Sequence, residues 1–428
     1  MSTVRYPAHW TNLKLKYVAS LRSGEGITSG DISDIGEYPV YGGNGVRGYT
    51  SSHTHDGTYP LIGRQGALCG NINYASGKFW ASEHAIVVNV HDGHVVRWLG
   101  EVLRSMNLNQ YSQSAAQPGI SVEVIENLLI PVPPEPEQGA IANYLDRETA
   151  RIDGLIAEKE RMLALLEEKR AALISRVVTR GLDPTNSPGV NLSAEGGPKG
   201  EGMDSPSSAP LKPSGQEWLG EIPTHWNLWR LKHLASEALS YGANEAALED
   251  NPEWPRFVRI TDIAADGSLR NETFKSLSPE IAEPFLLDDG DLLFARSGAT
   301  VGKSFIYRPS WGVACFAGYL IRFRCDLSKA LPDYLNLFAQ SSAYWHQVSI
   351  GTIQATIQNF SAEKYADIIV PLPSMKAQQE IIDAMQKEQF RFDGLTSQIS
   401  NSLALMKERR AALITAAVTG QIPLTEMG

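Results

Sequence analysis

One long stretch of this 428-residue chain occurs twice, and that duplication limits the folds the chain can adopt. The first copy runs from Pro131 to Thr179 and the second from Pro371 to Thr419. The two copies align without a gap, and both carry the phrase Arg-Ala-Ala-Leu-Ile shortly before they end in Val-Thr. A self-match at a fixed separation indicates a duplicated structural unit.

Each copy predicts one long helix. Prolines open both copies, and proline fits the first turn of a helix but not its interior. Apolar residues then recur at the spacings of a coiled-coil seam. The seam positions are Ile141, Leu145, Ile152, Leu155, Met162, Leu166 and Leu173 in the first copy, and Ile381, Met385, Phe392, Leu395, Ile399, Met406 and Leu413 in the second. An isolated seam of this length would stay exposed, so each helix needs a partner. The other copy is the nearest candidate, and a coiled coil between two chains is the alternative.

The repeat extends beyond the helix. Pro7-Ala-His-Trp10 returns as Pro223-Thr-His-Trp226, so a globular block followed by a long helix is used twice. A chain of this length is also too long for one ordinary domain. We predict an α+β fold in which two globular mixed α/β domains are separated by two long antiparallel coiled-coil helices, with an internal pseudo-twofold repeat. The expected boundaries are 1–130 for the first domain, 131–182 for its helix, 183–214 for a flexible linker, 215–370 for the second domain, and 371–428 for the second helix and tail.

Composition excludes several classes of function. The net charge is −10, so no globally basic surface is available for nucleic acid, and any such binding is local or shared with a partner. Three scattered cysteines form neither a metal motif nor a disulfide framework, which fits a reducing cytosol. No apolar run is long enough for a signal peptide or a membrane span. We therefore expect a cytoplasmic protein without a membrane partner.

Two arginines occupy equivalent places in the two blocks. Arg64 and Arg296 each follow a predicted strand beside glycines, where a guanidinium can reach guanine O6 and N7 or a phosphate. A polar segment from Thr352 to Gln358, predicted to be extended, offers glutamines that suit adenine. The alternatives are a salt bridge on a loop and a solvated strand face. The full set of candidate DNA-binding residues is Asn44, Arg47, Arg64, Gln65, Ser112, Gln113, Gln117, Arg296, Ser297, Thr300, Lys303, Thr352, Gln354, Thr356 and Gln358. Just before this segment, 331–347 is predicted to be one helix.

No candidate catalytic site emerges from the sequence. Gly298–Ser304 resembles a phosphate-binding loop but has three residues between its glycines instead of four, which favours a DNA-facing or structural turn. Glu167–Lys169 has the spacing of a nuclease fragment but lies on the long helix, where a charged face is the better explanation. His53 and His55, with Asp56 beside them, are interpreted as a solvated loop rather than a metal site. We expect a protein without catalytic residues, metal or bound cofactor.

A longer phrase connects these features to a known family. Gln216-Glu-Trp-Leu-Gly-Glu-Ile-Pro-Thr-His-Trp226 is followed by a variable block, then by Pro-x-Pro and a long helix that ends in Arg-Ala-Ala-Leu-Ile. This arrangement resembles the specificity subunit of type I restriction-modification systems, over the whole chain except the linker at 183–212. The first copy departs from the pattern, because it lacks the lead-in and begins only at Tyr6-Pro-Ala-His-Trp10.

The resemblance implies a non-catalytic subunit of an adenine-specific methyltransferase and restriction endonuclease complex. Each domain would be a target-recognition domain that reads one half of a bipartite, asymmetric site in double-stranded DNA. The helices would pair antiparallel and dock two methyltransferase subunits, which carry S-adenosylmethionine. Up to two restriction subunits would add translocation driven by ATP and Mg. The alternatives are a specificity subunit of a related methyltransferase-nuclease fusion system and a cytosolic scaffold without a DNA role.

The same resemblance predicts that helix length sets the gap between the half-sites. A helix rises about 1.5 Å per residue, so about four residues inserted just after Thr179 would add roughly 6 Å. That is between one and two base pairs at about 3.4 Å each. We expect the gap to lengthen and the half-site sequences to stay unchanged.

Overall fold

The computed structural model describes residues 6–66, 68–112, 119–182, 210–264, 267–352 and 359–427. The chain divides into two compact units, and each takes part of both long helices. Unit 1 comprises Met1–Arg161 and Ile399–Gly428, and unit 2 comprises Met162–Gln398. Each unit therefore joins one globular domain to the first part of the helix that follows it and to the last part of the other helix. Neither unit corresponds to one uninterrupted sequence repeat.

The described α-helices include two that are far longer than the others. The first long helix has 46 residues and the second has 44. The helix bounds are Val96–Ser105, Val122–Glu126, Glu135–Arg180, Pro279–Ala282, Pro332–Phe338, Ser342–Thr352, Ala362–Ala366 and Met375–Val418. Among the described helices, none combines the length and the apolar content needed to cross a bilayer.

The domain of unit 1 is built on a six-stranded sheet. Its central strand, His55–Gly63, pairs antiparallel with a neighbour on each side. In order across the sheet, the strands are Ala19–Ser23, Ala85–Val90, His55–Gly63, Ile72–Ala81, Tyr38–Gly42 and Gly45–Thr50. A separate antiparallel pair, Thr11–Lys14 with Leu129–Val132, closes the domain just before the first long helix.

The domain of unit 2 has the same plan with shorter strands. In order across its four-stranded antiparallel sheet, the strands are Ser240–Tyr241, Leu320–Phe323, Leu292–Ala295 and Ser304–Ile306. The remaining pairs are Arg256–Val258 with Ala314–Phe316, Leu211–Pro213 with Glu221–Pro223, and Asn227–Arg230 with Ile369–Leu372. The last of these closes the domain just before the second long helix, as its counterpart does in unit 1.

The long helices run antiparallel, as the sequence predicts. In unit 1, Arg410 contacts Asp153 at 2.7 Å and Lys407 contacts Glu160 at 3.2 Å. Residue numbers rise along one helix as they fall along the other, so the two segments run in opposite directions. Exposed ion pairs of this kind contribute at most about 1 kcal/mol each. These ion pairs therefore show how the helices are paired but add little to the stability of the pairing.

The seam is only partly buried in the way a heptad repeat predicts. Seven of the predicted positions are buried: Ile141, Leu145, Ile152, Ile381, Met385, Phe392 and Ile399. Leu155, Met162 and Leu395 are exposed, so the prediction is wrong for them. A straight helix has about 3.6 residues per turn, so a seven-residue repeat drifts by about 20° per heptad. Seam positions that have turned away from the partner helix are therefore left exposed.

Two local predictions in unit 2 are also wrong. Residues 331–347 form two helices, Pro332–Phe338 and Ser342–Thr352, instead of one. The buried Ser341 separates them: its hydroxyl donates to Phe338 O at 2.6 Å and accepts from Tyr344 N–H at 3.3 Å. This hydroxyl satisfies the end of the first helix and the start of the second. Thr352 ends that second helix, so it is not part of an extended segment.

A buried glutamine fastens the start of each long helix to its own domain. In unit 2, Gln378 Oε1 accepts from Leu331 N–H at 2.8 Å, and its Nε2 donates to Pro373 O at 3.0 Å. In unit 1, Gln138 makes the corresponding bonds with Val95 and Pro133, both at 2.9 Å. The two glutamines lie at the same point of the repeat. Each fills backbone donors and acceptors that would otherwise be buried without a partner.

We predict that Gln378→Ala destabilises unit 2 by about 1–3 kcal/mol, because it leaves a buried N–H and a buried carbonyl unpaired. The measurement is the free energy of unfolding from urea denaturation. The matched control is the exposed neighbour Gln379→Ala, which should change stability by no more than about 0.5 kcal/mol. Equal effects of the two substitutions would show that the buried amide does not hold the helix to the domain.

Candidate nucleic-acid interface

In unit 1, Arg64 follows the central strand and its backbone is held on both sides. Its N–H donates to His84 O at 2.9 Å, and its carbonyl accepts from Ile120 N–H at 3.0 Å. The next residue, Gln65, forms an antiparallel bridge with Gly119. Three separate segments therefore meet at the arginine. The strand end is fixed without using the arginine side chain.

Unit 2 builds the same junction around Arg296. The Arg296 N–H donates to Tyr319 O at 3.0 Å, and its carbonyl accepts from Phe360 N–H at 2.9 Å. Ser297 forms the antiparallel bridge, here with Asn359. Each backbone contact of Arg64 thus has its counterpart. The structure places the two arginines at equivalent positions of the duplicated fold, as the sequence indicates.

The two guanidinium groups also make one equivalent contact. Arg64 Nη1 lies 3.5 Å from Glu83 O, and Arg296 Nη1 lies 3.4 Å from Gly318 O. Within the described part of the chain, neither group forms an ion pair with a carboxylate. The salt-bridge alternative is therefore not what the structure shows. Both arginines are half-buried, and their charge is available to a ligand.

Arg296 lines an open cavity of about 430 Å³ at one end of the sheet of unit 2. The guanidinium lies over the ring of Tyr241 at 4.8 Å from its centroid, and Nε lies 3.4 Å from Asn359 Oδ1. The cavity is lined by Tyr241, Gly242, Asn244, Arg296, Ser297, Gly318, Tyr319 and Asn359. Tyr319 forms the rim and is 65% exposed. The cavity thus combines one cation, two aromatic rings and two amides.

The structure separates Thr300 and Lys303 from Arg296 and Ser297. Both line a different groove of unit 2, of about 1270 Å³, between the domain and segments of the long helices. Arg170 and Gln386 of those segments also line it. The four candidate residues of this loop therefore face two different spaces instead of forming one surface.

The loop from Gly298 to Ser304 is not built to hold a phosphate. Val301 N–H donates to Gly298 O at 3.1 Å, and Gly302 N–H donates to Tyr365 Oη at 3.1 Å. Amides that cradle a phosphate have to point at the ligand, and these two are used inside the domain. Gly302 has a packing explanation, because its φ is +86° and a Cβ atom there would lie 2.7 Å from Trp345.

In unit 1, a hairpin turn lies against the strand end that carries Arg64. Gly43 and Gly63 approach so closely that a side chain on Gly63 would collide with the Gly43 carbonyl. Asn44 is thereby brought to the same end of the sheet as Arg64, and its Oδ1 accepts from Asn71 Nδ2 at 3.3 Å. Arg47 is exposed on the following strand of the hairpin.

The remaining candidates are placed less completely. Ser112 Oγ accepts from Gly119 N–H at 3.0 Å, which connects it to the bridge that holds Gln65. Thr352 Oγ1 donates back to Val348 O at 3.1 Å, inside its helix. Five candidates lie outside the described residues: Gln113, Gln117, Gln354, Thr356 and Gln358.

His55 and the charged residues from Glu167 to Lys169 are part of ordinary secondary structure. His55 stacks on Phe79 at 5.3 Å, and burial lowers the pKa of its imidazole, which favours the neutral ring. The charged residues from Glu167 to Lys169 are exposed on the long helix. Among the described residues, no three His, Cys, Asp or Glu side chains are grouped so that they could hold a metal ion.

The two domains with their arginine junctions match one protein family. The model of the type I restriction modification DNA specificity domain matches residues 7–162 and again residues 249–404. The chain belongs to this specificity-domain family. Both matches cover the arginine junction of one domain and part of the long helix that follows it. The chain therefore carries two copies of a domain that the family's description calls a DNA specificity domain.

Relatives in the specificity family agree with that assignment. The chain is 44% identical to the type I restriction enzyme EcoprrI specificity subunit of Escherichia coli over 134 residues, which span 30% of this chain and only 33% of that protein. It is 19% identical to the EcoDI specificity subunit of Escherichia coli over 436 residues, covering 99% of this chain and 90% of the relative. A solved structure from work on complex assembly and conformational transition of the type I R-M system matches with a TM-score of 0.70 at 14% identity. That match covers 98% of this chain and 100% of the other, so the two chains share a fold.

Sequence reasoning about this family member missed much of the cavity. Four lining residues were not singled out: Tyr241, Asn244, Tyr319 and Asn359. They come from three separate segments, so no spacing within one motif connects them. The available signal was an aromatic residue beside a glycine, in Tyr241-Gly242 and in Gly318-Tyr319. Only the fold shows that both pairs surround the same arginine.

Proposed function

We propose that this chain is the non-catalytic DNA-specificity subunit of a type I restriction-modification complex, and that each unit reads one half of a bipartite, asymmetric site. One observation carries the proposal: the two units build the same backbone junction and surround it with different side chains. Glu83 and His84 stand in unit 1 where Gly318 and Tyr319 stand in unit 2. Two domains with the same backbone junction and different side chains around it are suited to recognising two different DNA sequences.

The charge of the chain supports a division of labour with partner proteins. Neutralised phosphates supply a large share of the affinity of DNA-binding proteins, and a chain with net charge −10 is poorly suited to supply it. Sequence is read instead by a few side chains at base edges. In this proposal, the chain supplies the base contacts and its partners supply much of the phosphate contact.

We predict that Arg296→Ala relaxes recognition of one half-site and that Arg64→Ala relaxes recognition of the other. A good bidentate contact to a base contributes about 1–3 kcal/mol of discrimination. Each variant is co-expressed with its methyltransferase subunit, and methylated sites are mapped across a genome. The untouched half-site of each variant is the control for assembly of the complex, because it should be read as before. Loss of both halves in either variant would contradict independent reading by the two units.

Exposed apolar residues on the long helices support a docking role. In unit 2, Phe390 is 82% exposed, and Leu165 and Leu395 are exposed on the paired helix segments. In unit 1, Leu155 and Leu405 are exposed on the corresponding segments. Helices normally turn such residues inward, and exposed apolar patches mark interaction sites. We propose that these faces dock two methyltransferase subunits, which bring S-adenosylmethionine. Restriction subunits would bring ATP and Mg.

We predict that Phe390→Asp reduces co-purification of the methyltransferase subunit with this chain. The side chain makes little contact within the protein, so the free energy of unfolding should stay within about 0.5 kcal/mol of the unaltered chain. The matched control is Leu248→Asp, at a residue of unit 2 that is 76% exposed and lies outside the long helices. Unchanged co-purification of the Phe390 variant, or an equal loss in the control, would contradict docking on the helix face.

The helix-length hypothesis needs a different test from an insertion after Thr179. Val177 and Val178 already pack in the core of unit 2, and the helix ends at Arg180. Residues added after Thr179 would therefore lengthen only the connection that follows the helix. An informative insertion has to lie inside both helices, after Arg161 and after Gln398, where the chain passes from one unit to the other.

We predict that four residues inserted at both of these places lengthen the unspecified gap by one or two base pairs. The expected helix extension is about 6 Å, against about 3.4 Å per base pair. The half-site sequences should not change, because no junction residue is touched. The measurement is again methylation mapping, and an insertion after Thr179 alone is the control that should leave the gap unchanged. An unchanged gap in the double insertion would contradict the helices as the measuring element.

A further inference from the structure

We propose that Arg296 reads a guanine in the half-site of unit 2, and that Tyr241 is the positioning residue that holds its guanidinium for this contact. The inference rests on the proposed function and adds the base that is read and the residue that orients the reader. It follows from how many guanidinium donors the domain uses, which donors remain, and what supports the plane of the group.

The guanidinium of Arg296 is held on three sides. Nε lies 3.4 Å from Asn359 Oδ1, and Nη1 lies 3.4 Å from Gly318 O. The ring of Tyr241 supports the group from below, with its centroid 4.8 Å from Cζ. A cation over an aromatic face gains roughly 0.5–1 kcal/mol at an exposed site. The arginine is therefore oriented before any ligand arrives.

Tyr241 is itself fixed in place. Its hydroxyl accepts a hydrogen bond from Ala362 N–H at 3.0 Å, near the start of the helix Ala362–Ala366. The ring is thus anchored at its far end while its face supports the cation. Movement of the arginine out of its plane would give up this stacking.

Some N–H donors of the Arg296 guanidinium remain unused within the described part of the domain. A guanidinium has five N–H donors in one plane, and the contacts to Asn359 and Gly318 use two of them. Among the described residues, no group accepts a hydrogen bond from Nη2. The edge of the guanidinium that remains free consists of Nη2 and the second hydrogen of Nη1. Arg296 lines the cavity. Two parallel donors match O6 and N7 of guanine in the major groove.

Unit 1 supplies a natural comparison. Gly24 N–H donates to Ala85 O in unit 1, as Gly242 N–H donates to Leu320 O in unit 2. Ser23 therefore stands where Tyr241 stands, one residue before the glycine. Among the described aromatic residues, none lies under the guanidinium of Arg64 as Tyr241 lies under Arg296. The stacked arginine is a feature of unit 2 alone, so the two half-sites need not share a guanine.

The test uses the complex of the full chain with its methyltransferase subunit and synthetic duplexes in which each base pair of the recognised site is replaced in turn. For Arg296→Ala, the preference for one G·C pair in one half-site should fall by about 5- to 140-fold. Tyr241→Leu should lose part of that preference at the same base pair. Tyr241→Phe, which keeps the ring, should retain most of it. Ser23→Ala, at the matching place in unit 1, should leave that base pair unaffected.

The salt dependence of binding separates a base contact from a phosphate contact. Removing a phosphate contact makes the negative slope of log K against log salt shallower by about 0.9, and it weakens binding to all sequences alike. We expect the slope for Arg296→Ala to stay the same. A shallower slope, together with equal weakening of binding to all sequences, would overturn the inference. Loss of preference at an A·T pair would overturn it too. An unchanged preference in Tyr241→Leu would overturn the positioning role.

The outcomes also separate this inference from the proposed function. If the unaltered complex shows no sequence preference at all, the proposed function fails. If the unaltered complex is specific and Arg296→Ala keeps every preference, only the inference fails. Normal reading of the other base pairs in the same half-site shows that unit 2 is folded in the Arg296 and Tyr241 variants, so a loss at one base pair cannot come from unfolding.

Discussion

The apolar faces of the two long helices have to be covered, and the rest of the molecule depends on how that is done. A helix in a folded protein gains most of its stability by packing an apolar face, and less from its intrinsic helix propensity. In unit 1, Ile141 of the first helix and Ile414 of the second are buried in the core of the domain. In unit 2, Ile381 and Ile174 take these places. Each domain therefore needs a segment of both helices, and the packed unit is not the sequence repeat.

This frame leaves the recognition surfaces free to differ. The junctions at Arg64 and Arg296 are held by backbone N–H and carbonyl groups, which every residue except proline offers. The side chains beside them can change without removing these bonds, as the replacement of His84 by Tyr319 between the units shows. Packing fixes where the strand ends, and the exposed side chains decide what is contacted there. A duplicated frame can thus present two unlike surfaces.

The sequence predicts those features whose physical cause lies within one segment. The long helices follow from local periodicity, and the arginines follow from their place after a strand beside glycines. The break at Ser341 was missed because a single buried hydroxyl ends one helix and starts the next, and no periodicity reports this. Tyr241 and Tyr319 were missed because their importance depends on a cavity that three distant segments form. The exposure of Leu155 depends on which faces the domains happen to cover.

The two junction arginines keep their charge in a chain that is negative overall. The chain is acidic overall, and yet neither Arg64 nor Arg296 is neutralised by a carboxylate within the described residues. A backbone carbonyl contacts each guanidinium, and an amide and an aromatic ring also hold that of Arg296. These partners orient a cation without cancelling its charge. A fixed guanidinium loses less freedom on binding than a mobile one, so more of its interaction energy appears as discrimination. An acidic chain with oriented cations is therefore better suited to choosing among DNA sequences than to binding DNA strongly.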